Sequence, residues 1–203
     1  PHRERGHLTV SLDVDDDVGE LPWEAAELPG RGPLALIART AIERSVAVPE
    51  ATRRPADVEG PLRLLVAAAA PQDDLDLERE YGVILDAVES VRLTRATRGR
   101  VVYAEEGRAT LDAIREALRV ERFHVLHLAC HGAPGRLALE SDELGVVEVD
   151  PEALAELLLE HAPVPVVVLS ACHSGAPGSL DRVGFAHALV RAGVAGVVAM
   201  QHP

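Results

Sequence analysis

The amino-acid sequence predicts an α/β fold: a mostly parallel central sheet flanked by helices, with an irregular, β-containing N-terminal extension. Three observations predict it. From Leu64 onward, short apolar runs alternate with helix-period patterns, the mark of βαβ units and a parallel sheet. The run Val166-Val167-Val168-Leu169 is continuously apolar and β-branched, as strands buried on both faces are. Two apolar runs, ending near Ala129 and Ser170, pass into small and polar residues and then glycine, as strand tips in open α/β sheets do.

Residues 62–70 read as a buried strand ended by Pro71. Residues 75–91 follow as an amphipathic helix, with Leu77, Tyr81, Ile84, Leu85 and Val88 at helical spacing. A second strand is expected at 100–104, and a second helix at 110–120 with Leu111, Ile114 and Leu118 on one face. The third strand is 123–129. Gly132-Ala133-Pro134-Gly135 reads as a turn cluster, and 136–140 with 146–149 as a small hairpin. Asp150-Pro151-Glu152 supplies a cap residue before proline at the first helical position, and so starts a helix that runs to about His161. A fourth strand at 164–170, a helix at 185–192 stopped by Gly193 and a fifth strand at 194–200 complete the core. In the N-terminal part, 9–14 alternates like a strand, 34–38 and 45–48 read as short strands, and the proline-bearing stretch 48–61 reads as a linker. The expected organisation is an extension over 1–60 packing on a core over 61–203.

The 203 residues suffice to bury a real core. Aromatics are only 2% of the chain against 47% hydrophobic residues, so packing must rest on Val, Leu, Ile and Ala. The net charge of −13 repels a nucleic-acid backbone, and the few arginine clusters do not interleave with aromatics; no direct nucleic-acid partner is expected. The longest apolar stretches, 62–70 and 164–169, fall short of the roughly 20 residues that cross a bilayer, so no membrane span is expected. The chain begins at Pro1 with no leader-like pattern and is expected to be part of a larger, cytoplasmic polypeptide. Two cysteines with no other sign of secretion do not indicate a disulfide framework.

Chemistry concentrates in Leu126-His127-Leu128-Ala129-Cys130-His131-Gly132 and Val168-Leu169-Ser170-Ala171-Cys172-His173-Ser174-Gly175. Both tips should face the crevice beyond the carboxyl ends of the strands, where ligands bind in open α/β sheets. A hairpin and one helix between them allow a right-handed crossover that makes their strands parallel neighbours, about 4.8 Å apart. An imidazole at His131 and a thiol at Cys172 can then meet as base and nucleophile. Backbone N–H groups around Gly132 and Cys172 can serve a developing oxyanion.

These segments resemble the CHAT family, relatives of caspases and separases in the caspase-like peptidase clan. The family's histidine motif, an apolar strand ending in His-Gly, matches 125–132 and implies His131 as the catalytic histidine. Its cysteine motif, an apolar strand followed by Ser-Ala-Cys-x-Ser-Gly, matches 166–175 and implies Cys172 as the nucleophile. Leu21-Pro22-Trp23-Glu24 and Gly32-Pro33-Leu34-Ala35-Leu36 are similar to the segment that commonly precedes the sheet in these proteins. The resemblance implies a caspase-like fold and a cysteine endopeptidase that needs no cofactor and acts on a protein or peptide substrate. It also implies joining to sensor or repeat modules in a bacterial signalling or defence system. The family usually continues past the fifth strand with a further helix and strand, often with a tryptophan where Gln201 and His202 stand here, so a core truncated at its C-terminus is expected.

Competing readings exist for several of these residues. Cys130 directly precedes the proposed base, so its side chain points to the other face and reads as structural. His124 and His127 lie within the third strand; His127 shares the parity of His131 and reads either as a supporting residue behind the site or as a satisfied core histidine, and His173 reads as structural or solvent-facing. Asp142, Glu143 and Glu148 can line a pocket for a basic substrate residue or be solvated surface. The two Cys-His pairs raise zinc, but ligands adjacent in a strand diverge, and the acidic run 13–17 lacks a calcium loop's glycine hinge. A catalytically silent caspase-like scaffold is the alternative to an enzyme.

Overall fold

The structure is a computed structural model that describes residues 8–13, 21–46, 48, 62–69, 77–92, 100–103, 109–133, 135–141, 143, 145–160, 164–171 and 184–200. The chain divides into two compact units, residues 1–47 and 48–203.

In the first unit, β1 (Leu8–Leu12) pairs in parallel with the later β4 (Thr40–Arg44). Between them lie the short antiparallel pair β2 (Glu27–Leu28) and β3 (Gly32–Pro33) and two 3-10 turns, Trp23–Ala25 and Leu34–Leu36. Gly30, at φ +74°, provides the left-handed residue that the tight β2–β3 connection requires. The guanidinium of Arg44 donates to the Glu24 carboxylate, with Nη2 to Oε2 at 2.9 Å, and so ties the first 3-10 turn to β4. No described residue of this unit is buried, so its described part has no hydrophobic core of its own. The strand expected at 34–38 is instead the 3-10 turn, and the strand lies after it at Thr40–Arg44, where the exposure alternates. The strand expected at 45–48 does not form at its described residues, although Ser45 still donates a backbone hydrogen bond to Leu12.

The second unit contains, in chain order, β5 (Arg63–Ala68), α1 (Leu77–Arg92), β6 (Arg100–Tyr103), α2 (Leu111–Val120), β7 (Val125–Ala129), β8 (His131–Ala133), β9 (Arg136–Glu140), β10 (Val146–Val149), α3 (Pro151–Glu160), β11 (Val166–Ser170), α4 (Phe185–Ala192) and β12 (Gly196–Ala199). Five of these strands form a sheet in the order β12-β11-β7-β5-β6, and every pairing in it is parallel. Five expected strands and four expected helices thus appear where the periodicity put them.

The strand order explains which face each helix covers. The chain steps from β5 to β6 in one direction and from β6 through β7 and β11 to β12 in the other. Right-handed crossovers taken in opposite directions leave their helices on opposite faces. Accordingly α2, α3 and α4 bury Ile114, Leu118, Leu154, Leu158, Phe185 and Leu189 against Leu65, Leu126, Leu128, Val167 and Leu169 on one face, while α1 reaches His127 on the other. The reversal falls between β5 and β7, the kind of place where α/β sheets open a ligand crevice.

Local signals set the helix ends. Thr110 Oγ1 accepts from Ala113 N at 3.0 Å to cap α2, and Asp150 Oδ1 accepts from Ala153 N at 2.8 Å to cap α3 ahead of Pro151. Gly193, at φ +118°, ends α4 in the left-handed conformation that a side chain disfavours. Of the expected apolar face of α1, Ile84 is buried but Leu85 is exposed; Leu77 and Val88 have side chains outside the described residues.

The principal correction concerns residues 131–135. Gly132 and Ala133 are not part of a turn but belong to β8, which pairs antiparallel with β9 and makes the expected hairpin a three-stranded sheet in the order β10-β9-β8. Glycine and proline density made the whole cluster read as a turn, whereas one left-handed residue, Gly135 at φ +73°, suffices to reverse the chain.

Candidate active site

β7 and β11 are parallel neighbours, with Val125 opposite Val166 and Ala129 opposite Ser170. The pairing runs to the end of both strands: Cys130 N–H donates to Ser170 O at 3.2 Å, and Ala69 N–H donates to Ala129 O at 2.8 Å. Immediately beyond, the chain leaves the five-stranded sheet. His131 opens β8, where it stands opposite Ala138 of β9 and is half-buried. It is therefore fixed from both sides in sequence, by the β7 ladder behind it and by the small antiparallel sheet ahead.

Alternation along β7 sorts the neighbouring side chains. Leu126, Leu128 and Cys130 belong to the core beneath α2, α3 and α4, as does Ala171 at the end of β11. His127 faces the other way, and its Nε2 lies 3.0 Å from Glu80 Oε1 on α1. Sequence reasoning offered two roles for His127; the structure gives it a partner that ties α1 to β7, the strand that leads into His131. Nothing in the local pattern signalled Glu80, because 47 positions separate the two residues and only the crossover geometry joins them.

The remaining candidates fall as follows. His131 and Gly132 open β8. Cys172, His173 and Asp142 lie outside the described residues. Glu143 is exposed in the β9–β10 connection, and Glu148 is exposed on β10. His124 Nδ1 accepts from the Arg63 N–H at 2.9 Å; desolvation, followed by the nearby guanidinium groups of Arg63 and Arg122, lowers its pKa and keeps the ring in its neutral, accepting form. It therefore serves the sheet margin between β5 and β7.

Cys130 is 3% exposed, and burial pushes its thiol up to about 12 from an ordinary 9.0. A thiol held neutral in this way is a poor nucleophile, in keeping with its expected structural role. The unfolded chain releases this proton near the ordinary value, whereas the folded chain holds it until about 12. The stability so contributed is complete below about pH 9 and falls as pH rises toward 12. Urea unfolding across that window is expected to show wild type losing about 1.4 kcal/mol per pH unit more than Cys130→Ala. In the folded protein at pH 8, iodoacetamide should leave Cys130 unmodified until denaturant is added.

Among the described residues no group of three or more His, Cys, Asp or Glu side chains is placed to share a metal ion, and no helix is long and apolar enough to cross a membrane. In comparison with known proteins, a sequence model of the CHAT domain matches residues 1–203. No curated protein matches the chain.

Proposed function

From the premise that this chain belongs to the CHAT domain family, a family of caspase-like cysteine peptidases, we propose that it is a cysteine endopeptidase with Cys172 as nucleophile and His131 as general base. One observation carries the reading. β7 and β11 are adjacent and parallel, with Ala129 opposite Ser170, and in sequence His131 and Cys172 each stand two residues beyond that pair. A nucleophile and its base require this kind of convergence from separated parts of a chain.

The chemistry follows from the two groups. The His131 imidazole takes the Cys172 proton, and the thiolate attacks the carbonyl carbon of a peptide bond. The tetrahedral intermediate collapses as His131 returns the proton to the leaving amine, leaving a thioester. Water, deprotonated by His131, then attacks the thioester and releases the acid and the thiol. Backbone N–H groups of Gly132 and Cys172 stabilise the oxyanion in both halves. The Glu80–His127 bond supports the strand behind His131, and Asp142 and Glu143 are the residues we assign to the substrate pocket. No cofactor takes part in these steps.

By likeness to its family, the domain acts in the cytoplasm of a bacterium within a signalling or defence system. It is joined to sensor or repeat modules and cuts a protein partner when triggered. A peptide library incubated with the complete parent protein should yield discrete cleavages that disappear in Cys172→Ala. If wild type and Cys172→Ala give the same products, or neither gives any, the enzymatic reading is wrong and the scaffold reading takes its place.

A further inference from the structure

The three-stranded sheet that begins at His131 aligns one row of residues across its strands. His131 of β8 stands opposite Ala138 of β9, and Ala138 stands opposite Glu148 of β10. Directly opposed residues share a face, with Cα atoms roughly 4.5–5.5 Å apart per strand step, so His131 and Glu148 stand roughly 10 Å apart on the same surface. Within the sheet Ala138 alone separates them, and it contributes only a methyl group to the face beside the imidazole.

The charges on this face are unevenly satisfied. Glu140 accepts from the Ala109 N–H at 2.9 Å. Asp150 accepts from Arg136 at 3.1 Å and caps α3, so the one cation of β9 is committed to it. Glu148 is exposed and has no hydrogen-bond or ion-pair partner among the described residues. It is a carboxylate left open to solvent in register with the proposed base, in a chain of net charge −13 that draws cationic segments toward it.

We infer that Glu148 is a specificity-determining residue, which selects substrates that carry a Lys or Arg side chain close to the bond cut at His131. The inference rests on the peptidase reading and adds the substrate class. A substrate segment lying over Ala138 presents its side chains to Glu148 while its backbone passes His131. A cationic head there pairs with the carboxylate; a neutral one leaves that carboxylate unpaired, and an acidic one is repelled. Val146, exposed two residues before Glu148 on the same face of β10, offers apolar surface for the stem of such a side chain.

The test uses the complete parent protein and peptides that differ only in an Arg, Gln or Glu beside the cut. Wild type should prefer Arg. Glu148→Gln should lower kcat/KM for the Arg peptide about tenfold, as loss of one charge-assisted contact does, and leave the Gln peptide unchanged. Glu148→Arg should reverse the preference toward Glu, and Glu152→Arg, on the exposed first turn of α3, should leave it as in wild type. If Glu148→Arg cleaves the Gln peptide and still prefers Arg, the inference is overturned while the peptidase reading stands. If wild type cleaves none of the peptides and Cys172 resists a peptide electrophile, both fall together.

Discussion

Cys172→Ala is expected to lower peptide hydrolysis at least about ten-thousandfold, the order seen when a covalent nucleophile is removed and only binding remains. His131→Ala should lower it by about a hundred- to ten-thousandfold, the usual worth of a positioned general base. Because the two act on one proton, the double variant should be scarcely slower than Cys172→Ala alone, and such non-additivity marks a shared step. Cys130→Ala is the internal control. Its side chain is buried beneath the helices, on the opposite face from His127, and kcat should remain close to wild type once folded protein is quantified. Initial rates on a cleaved library peptide, normalised to folded protein by far-UV circular dichroism, provide the measurement.

Phe123→Ala is expected to destabilise the second unit by about 3–5 kcal/mol, the usual cost of removing a buried aromatic ring. Against a total stability of about 5–15 kcal/mol for a domain, that is a severe loss. Aromatic residues are only 2% of the chain, and both phenylalanines are in the core: Phe123 is 1% exposed and Phe185 is not exposed at all. Phe123 also stands two residues before β7, so the cavity opens at the base of the strand that leads into His131. Urea unfolding should show the shift in midpoint, with Val120→Ala as control. Val120 is 72% exposed, and its loss should change stability by less than about 0.5 kcal/mol.

Much of the fold was legible because it obeys simple periods. The continuously apolar strands, the helix-period faces of α2 and α4, and the caps at Thr110, Asp150 and Gly193 each carry a local signal. The adjacency of β7 and β11 followed from the length of the connection between them. Other features are decided by pairings that no local window contains. β8 was hidden because Gly132 and Ala133 lack the branched side chains that announce a strand, and only β9 opposite them makes one. The same omission hid the row from His131 through Ala138 to Glu148, which becomes countable only when the hairpin gains its third strand. Glu80 could not be matched to His127 without knowing that α1, alone among the described helices, reaches that face. In the first unit, Leu34, Leu36 and Ile37 are apolar and 34–38 reads as a strand, yet Pro33 opens a 3-10 turn there and the strand begins only at Thr40.

The account turns on a working partnership between the two strand tips, and the rate at which Cys172 is alkylated tests it most directly. The intact protein should be treated at pH 7 with a peptide electrophile, and both cysteines followed by mass spectrometry in wild type and in His131→Ala. Cys172 should be modified while Cys130 stays untouched, and His131→Ala should slow the reaction at Cys172 at least about a hundredfold. Equal rates at Cys172 with and without the imidazole, or a Cys172 no faster than Cys130, would contradict it.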